Sequence, residues 1–172
     1  MVSLAGLLDV VLSDPSLREV VETVPGTLDL TAPVGLRPFV LGALARRRHV
    51  LAVTATGREA EELEAALGSV LDPHRVALFP SWETLPHERL SPRPDTVGRR
   101  LAVLRRLAHP SSDDPATGPL DVVVAPVRSL LQPQVPGLGE LEPVAVRAGE
   151  QADLEDLVRR LVDLSYARVE LV

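Results

Sequence analysis

The chain has 172 residues and 45% of them are hydrophobic, so it can bury a core without a metal ion or a disulfide. It has no cysteine and no lysine, which excludes disulfide frameworks, thiolate nucleophiles, cysteine-ligated metal sites and lysine chemistry. The net charge of −6 argues against a nucleic-acid footprint spread over the whole surface. The absence of cysteine fits a cytoplasmic protein, and no apolar run reaches the ~20 residues that span a bilayer.

The elements in chain order begin with an N-terminal helical segment over residues 1–24. Its apolar residues recur at helical spacing, and Asp14-Pro15 is expected to stop the helix. A first strand is predicted over Thr27–Pro33, after a Pro-Gly turn, and a helix over Pro38–Arg47. These patterns predict alternation of strand and helix from residue 25 onward.

Three further apolar runs predict strands, over Val50–Thr56, Val76–Phe79 and Asp121–Val127. The first leads into a capping box, in which Thr56 caps Glu59 and a helix runs to about Leu67. Before the last strand, Asp95 is expected to cap a helix, whose predicted inner stripe consists of Val97, Leu101, Leu104 and Ala108. Apolar strands separated by helices predict an α/β domain with a parallel sheet and flanking helices.

A change of composition marks a predicted domain boundary, because Gln132–Pro143 carries three prolines and two glycines. We therefore assign residues 25–135 to the α/β domain and residues 136–172 to a second, truncated α+β subdomain. Within it we predict a strand over Pro143–Ala148, an amphipathic helix over Ala152–Leu164 and the start of a strand over Ala167–Val172.

The turn after the first predicted strand is where a nucleotide-binding loop is expected, since a phosphate needs glycine amides, a lysine and a hydroxyl for Mg²⁺. Aligned with that motif, Thr31 and Leu36 replace the glycines, Arg37 replaces the lysine and Pro38 replaces the Ser/Thr, with Gly35 just before. Proline offers neither a hydroxyl nor an N–H group. The residues predict a degenerate phosphate loop with no bound cofactor. No spacing typical of a metal site or of a catalytic triad occurs either.

The sequence has two basic clusters. The first is the run Arg46–Arg48. The second lies on the helix predicted after residue 94 and consists of Arg99, Arg100, Arg105 and Arg106. Two interpretations stay open: a solvated helix face, or a candidate interface with a partner. Trp82, the only tryptophan, is either a core anchor under a long loop or an interface hot spot.

Two segments, FPSWETLPHERLSPRPD and DVVVAPVRSLLQPQVP, together resemble the N-terminal UvrB-like module of the bacterial transcription-repair coupling factors (Mfd). The resemblance covers about residues 25–172. The residues that carry it are Phe79, Trp82, Glu83, Thr84, Leu85, Pro86, Ser91, Pro92, Asp95, Ala125, Pro126, Val127, Leu130 and Gln132.

The resemblance implies a degenerate RecA-like domain, like domain 1a of UvrB, that has lost ATPase activity and serves as an interaction module. It implies UvrA and the other Mfd domains as partners, with UvrA-contact residues expected beyond Val172. It also implies that ATP, Mg²⁺, RNA polymerase and DNA are bound by parts of the parent protein outside this segment. A divergent UvrB-like nucleotide-binding ATPase fragment is the main alternative, and a nucleic-acid-binding domain using the arginine faces is a weaker one.

Overall fold

In the computed structural model the chain divides into two compact units, residues 1–140 and 141–172. The structure describes residues 4–22, 26–84, 91–111, 114–146, 148–164, 166–167 and 169.

The first unit is built on a three-stranded, all-parallel sheet, which confirms the predicted α/β class. The strands are β1 (Val50–Thr54), β2 (Val76–Leu78) and β3 (Val122–Pro126), in the order β1-β3-β2. Both outer strands are in register with β3, which is buried along its whole length. A central parallel strand is covered on both faces, which explains its continuous apolar sequence.

Helices precede, connect and follow the strands of this unit. They are α1 (Ala5–Ser13), α2 (Pro15–Glu22), α3 (Arg37–Ala45), α4 (Gly57–Val70), α5 (Pro94–Ala108) and α6 (Val127–Leu131), with short 3₁₀ helices at Val34–Leu36, Pro73–Arg75 and Leu138–Glu140. As predicted, α1 ends before Asp14. The chain then starts a second helix, because Pro15 suits the first helical position and the Asp14 carboxylate accepts the Ser16 N–H at 2.8 Å.

The sheet separates two apolar layers. Residues of α1, α3 and α4 pack on one face, in a cluster made of Leu8, Ala45, Ala52, Ala60, Leu67, Val70, Val76, Leu78, Val122 and Val124. Residues of α5 and of the loop before β3 pack on the other face, in a cluster made of Ala77, Phe79, Val103, Leu120, Val123 and Ala125. The alternation of strand side chains between the two faces therefore builds both layers.

The predicted capping box opens α4. The Thr56 hydroxyl accepts the Glu59 N–H at 3.2 Å, and the Glu59 carboxylate accepts the Ala55 N–H at 3.1 Å. The reciprocal bond thus goes to the residue before the cap, and the helix continues to Val70 rather than ending near Leu67.

Three local predictions are wrong. Residues 27–33 form no strand, because the segment finds no partner in the sheet and leaves Leu28 and Leu30 about half exposed. Residues 143–146 and 148 form no strand either. Asp95 does not cap α5: it lies in the first turn, and the cap position belongs to Arg93, whose side chain makes no capping bond.

The predicted inner stripe of α5 is also wrong by about one residue. The buried side chains are Thr96, Arg100 and Val103. Val97, Leu101 and Leu104 are half-buried, and Ala108 is exposed. The helix is rotated because the side chain of Arg100 occupies the interior.

The close approach of α1 to α3 leads to a testable prediction. Leu8 is 1% exposed, and its side chain lies 3.1 Å from the point where a Cβ on Gly42 would stand. Leu8→Ala is expected to destabilise the chain by about 3 kcal/mol, through lost burial and a residual cavity. Leu7→Ala is the control, since Leu7 is 45% exposed. Urea unfolding followed by circular dichroism measures both, and equal small effects would show that α1 is not part of the core.

The second unit contains α7 (Leu154–Asp163), which lies within the predicted range Ala152–Leu164. The Asp153 carboxylate caps it by accepting the Asp156 N–H at 2.9 Å. Its predicted apolar side is half-buried or exposed, and consists of Leu154, Leu157, Val158, Leu161 and Val162. The strand predicted over Ala167–Val172 lies largely outside the described residues. In the described parts of both units, no helix is long and apolar enough to cross a membrane.

Candidate functional site

A cleft of about 540 Å³ lies at the carboxyl edge of the sheet, where ligands commonly bind in parallel α/β domains. All three strands end there, so the segments that follow them form its walls. The lining residues are Ala55, Thr56, Gly57, Glu61, Leu78, Pro80, Ser81, Trp82, Glu83, Arg93, Asp95, Thr96, Arg99, Pro126 and Arg128.

Arg100 lies beneath this cleft, between two aromatic rings. Its guanidinium carbon is 4.1 Å from the centre of the Phe79 ring and 4.2 Å from that of the Trp82 ring, and the side chain is 1% exposed. Nη1 donates to the Pro80 carbonyl at 2.5 Å, while Nε and Nη2 are buried without a hydrogen-bond partner. Burial lowers the pKa of Arg100 below its ordinary value. The half-buried Trp82 ring is therefore held in place by a cation–π contact.

Gln132 fixes the backbone of the same loop. Its side-chain oxygen accepts the Trp82 N–H at 2.7 Å, and its amide nitrogen donates to the Trp82 carbonyl at 3.2 Å. This pair of bonds ties the segment after β2 to the segment after α6, across fifty positions of sequence. A side-chain amide is suited to this role because it both donates and accepts.

Glu83 takes the role at the start of α5 that the sequence assigned to Asp95. Its carboxylate accepts the Thr96 hydroxyl and, at 3.4 Å, the Arg93 N–H. The hydrogen bond from Thr96, together with weaker contributions that include the charge of Arg93, lowers the pKa of Glu83. A carboxylate from the preceding loop thus supports the positive end of the helix.

Thr96→Val removes the main cause of this shift, so the pKa of Glu83 is expected to rise toward its ordinary value. Because the folded-state pKa is depressed, the stabilisation from Glu83 is complete above its unfolded-state pKa and is lost as pH falls through the folded-state pKa. The free-energy difference between wild type and variant should therefore shrink in acid. Carboxyl NMR titration of Glu83 checks the shift, and an unchanged pKa would contradict the assigned hydrogen bond.

The structure brings most of the signature residues together at this edge. Phe79, Trp82 and Glu83 follow β2, and Pro126 ends β3, where its carbonyl accepts the buried Ser129 hydroxyl at 2.8 Å. Asp95 lines the cleft. Leu85 and Pro86 lie outside the described residues. Two of these residues, Phe79 and Trp82, contact Arg100, a role that the sequence pattern did not reveal although they are two of the four aromatic residues in the chain.

The four arginines of α5 do not form one exposed face, as the sequence suggested. Arg100 is buried, and Arg99 is exposed at the cleft. Arg105 donates to the Glu140 carbonyl at 3.3 Å. Arg106 donates to the carbonyls of Gly118, at 2.7 Å, and His74. These backbone contacts hold connecting segments against α5. Arg93 and Arg128, which the sequence did not single out, join Arg99 at the cleft.

The predicted phosphate loop lies beside a separate cavity, not at the cleft. A cavity of about 380 Å³ there is mostly apolar and is lined by Gly35, Arg37 and Pro38 together with two α4 carboxylates, Glu59 and Glu62. Thr31 and Leu36 are not among its lining residues. Pro38 is buried in the first turn of α3. The Gly35 φ angle lies outside the left-handed region, and a Cβ there would meet nothing within 4 Å.

In the described part of the chain, no group of three or more histidine, aspartate or glutamate side chains is placed to hold a metal ion.

The proteins found to be similar to this chain include several transcription-repair-coupling factors. The transcription-repair-coupling factors of Mycobacterium tuberculosis and Mycobacterium bovis are each 51% identical to it over 173 residues, covering 98% of this chain and 14% of the relative. That of Bacillus subtilis is 25% identical over 139 residues, covering 79% of the chain. No family model matches. The chain spans 14% of the length of these mycobacterial relatives, and it is similar to their N-terminal region.

Proposed function

We propose that this chain is a noncatalytic interaction module of a transcription-repair coupling factor, and that its partner is the excision-repair protein UvrA. In this proposal the α/β unit is a scaffold that presents surfaces and does not turn over ATP. The intact protein is proposed to be an ATP-dependent translocase that displaces stalled RNA polymerase from DNA, with its ATP and Mg²⁺ held elsewhere.

The observation that carries the proposal is the chemistry at the phosphate-loop position. A triphosphate requires convergent N–H donors and positive charge. The cavity beside Gly35 instead offers one arginine, a buried proline and the carboxylates of Glu59 and Glu62. Glu62 is already paired with Arg58, and the remaining carboxylate, Glu59, offsets the attraction of Arg37 for a phosphate. The main alternative, a nucleotide-binding UvrB-like fragment, lacks the donor set that it needs here.

A second observation supports a binding role without catalysis. Among the described residues that carry the resemblance, Phe79 and Trp82 contact Arg100, and Gln132 bonds both backbone groups of Trp82. A segment held in this way beside a polar cleft favours recognition, because little conformational entropy is lost on binding.

A chimeric protein tests the UvrA proposal. This chain replaces the aligned N-terminal residues of the Mycobacterium tuberculosis relative, and the binding of UvrA from that organism is measured by biolayer interferometry. We expect the chimera to bind UvrA within about tenfold of the unmodified relative, and a version lacking the segment to lose binding. Unchanged binding by the truncated version would overturn the proposal.

A further inference from the structure

We propose that the cleft at the carboxyl edge of the sheet, which we call the arginine cleft, binds an acidic polypeptide segment through the guanidiniums of Arg93, Arg99 and Arg128. This inference goes beyond docking of UvrA and does not depend on it, because it assigns a site and a ligand chemistry within residues 55–128.

Unpartnered positive charge is the first argument. Arg99 and Arg128 line the cleft, and neither side chain forms an ion pair with a described residue. In contrast, Arg46, Arg58, Arg75 and Arg159, which lie elsewhere, each pair with a carboxylate. Arginine forks match carboxylates with two parallel hydrogen bonds, so two forks that pair with no described carboxylate at one cleft favour a carboxylate-bearing ligand.

The local field is the second argument. Three arginines line the cleft with three carboxylates, those of Glu61, Glu83 and Asp95, and Arg100 behind Trp82 adds one further positive charge. The described residues at the cleft are therefore slightly positive, although the chain as a whole carries −6. The amino ends of α4 and α5, helices of 14 and 15 residues, also lie at the cleft and add partial positive charge.

The three acidic side chains determine which kind of anion fits. Glu61, Glu83 and Asp95 repel any anion that enters the cleft, and a phosphodiester backbone offers these carboxylates no hydrogen-bond donor in return. They also accept hydrogen bonds, as the backbone N–H groups of a peptide require. Pro80, Trp82 and Pro126 provide apolar contact for the ligand's carbon atoms. An acidic peptide therefore fits better than a nucleic acid.

Trp82 provides the measurement, because it is the only tryptophan and lines the cleft. The full chain is titrated at low salt with a fluorescein-labelled hexaglutamate peptide, and both fluorescence anisotropy and Trp82 emission are recorded. We expect saturable binding that changes the Trp82 emission. A hexaglutamine peptide and a 12-nucleotide oligo(dT) are titrated in parallel, and both are expected to bind at least about tenfold more weakly.

The double variant Arg99→Gln/Arg128→Gln is expected to weaken hexaglutamate binding by at least about tenfold. Arg58→Gln is the matched control, since this side chain lies on α4 outside the cleft and is 86% exposed. Its binding should stay within about twofold of wild type. The proposal is overturned by tighter binding of oligo(dT), by no hexaglutamate binding at about 1 mM, or by equal losses in control and double variant.

Discussion

Replacing Arg100 with alanine is expected to destabilise the chain by about 4 kcal/mol, which is a large part of the stability of a domain this size. The change empties the space between the Phe79 and Trp82 rings and removes the bond to the Pro80 carbonyl. Desolvated cation–π contacts contribute about 2 kcal/mol or more each. Urea unfolding followed by far-ultraviolet circular dichroism gives the free energy of unfolding.

Arg100→Met separates the volume of this side chain from its charge. Methionine fills most of the space and removes the two buried donors, Nε and Nη2, that have no partner. Burying an unpaired charge is itself unfavourable, so the methionine variant is expected to lie within about 1.5 kcal/mol of wild type. A methionine variant as unstable as the alanine variant would show that the charge itself holds the loop.

The second large effect on stability is expected at Phe79, one of the two aromatic rings that contact Arg100. Phe79 is 4% exposed, its N–H donates to the Val124 carbonyl at 2.8 Å, and its ring packs in the layer beneath α5. Phe79→Ala should destabilise the chain by about 4 kcal/mol, since it both opens a cavity in the core and removes the ring beneath Arg100.

Phe79→Leu is the matched control, because leucine keeps apolar volume and loses the aromatic face. It is expected to cost about 1.5 kcal/mol. A double-mutant cycle of Phe79→Leu with Arg100→Met then isolates the ring–guanidinium interaction, with an expected coupling of about 2 kcal/mol. Additive effects, with no coupling, would mean that the two groups touch without stabilising each other.

The sequence predicted the sheet well where local chemistry and tertiary structure agree. The apolar runs at Val50, Val76 and Val122 begin the three strands, and the Thr56 capping box begins α4. Those signals are short-range, since they depend on apolar runs and on a side chain three residues from its partner.

The wrong predictions have a common cause: the structure at those positions depends on contacts with residues that are distant in sequence. The residues 27–33 have an alternating pattern typical of a strand, yet no strand edge pairs with them in the structure. Arg100 was expected on a polar face because hydrophobicity patterns assign arginine to solvent. Two aromatic rings after β2, those of Phe79 and Trp82, reverse that preference by enclosing the guanidinium. The buried face of α5 is therefore the one that carries Arg100.

The candidate site was predictable only in part. Trp82, Glu83 and Gln132 were singled out by resemblance, but their hydrogen bonds link positions up to fifty residues apart. Arg93 and Arg128 carried no local signal, because each gains its position only when the carboxyl ends of the strands come together.

Residues 31–38 are proposed to hold no triphosphate, so that the chain acts by binding other proteins. The decisive experiment is titration of the full chain with a fluorescent ATP analogue, with and without Mg²⁺. We predict no saturable binding up to about 1 mM of the analogue. Saturable micromolar binding that requires Mg²⁺ and shifts the NMR resonances of Gly35 and Arg37 would contradict it.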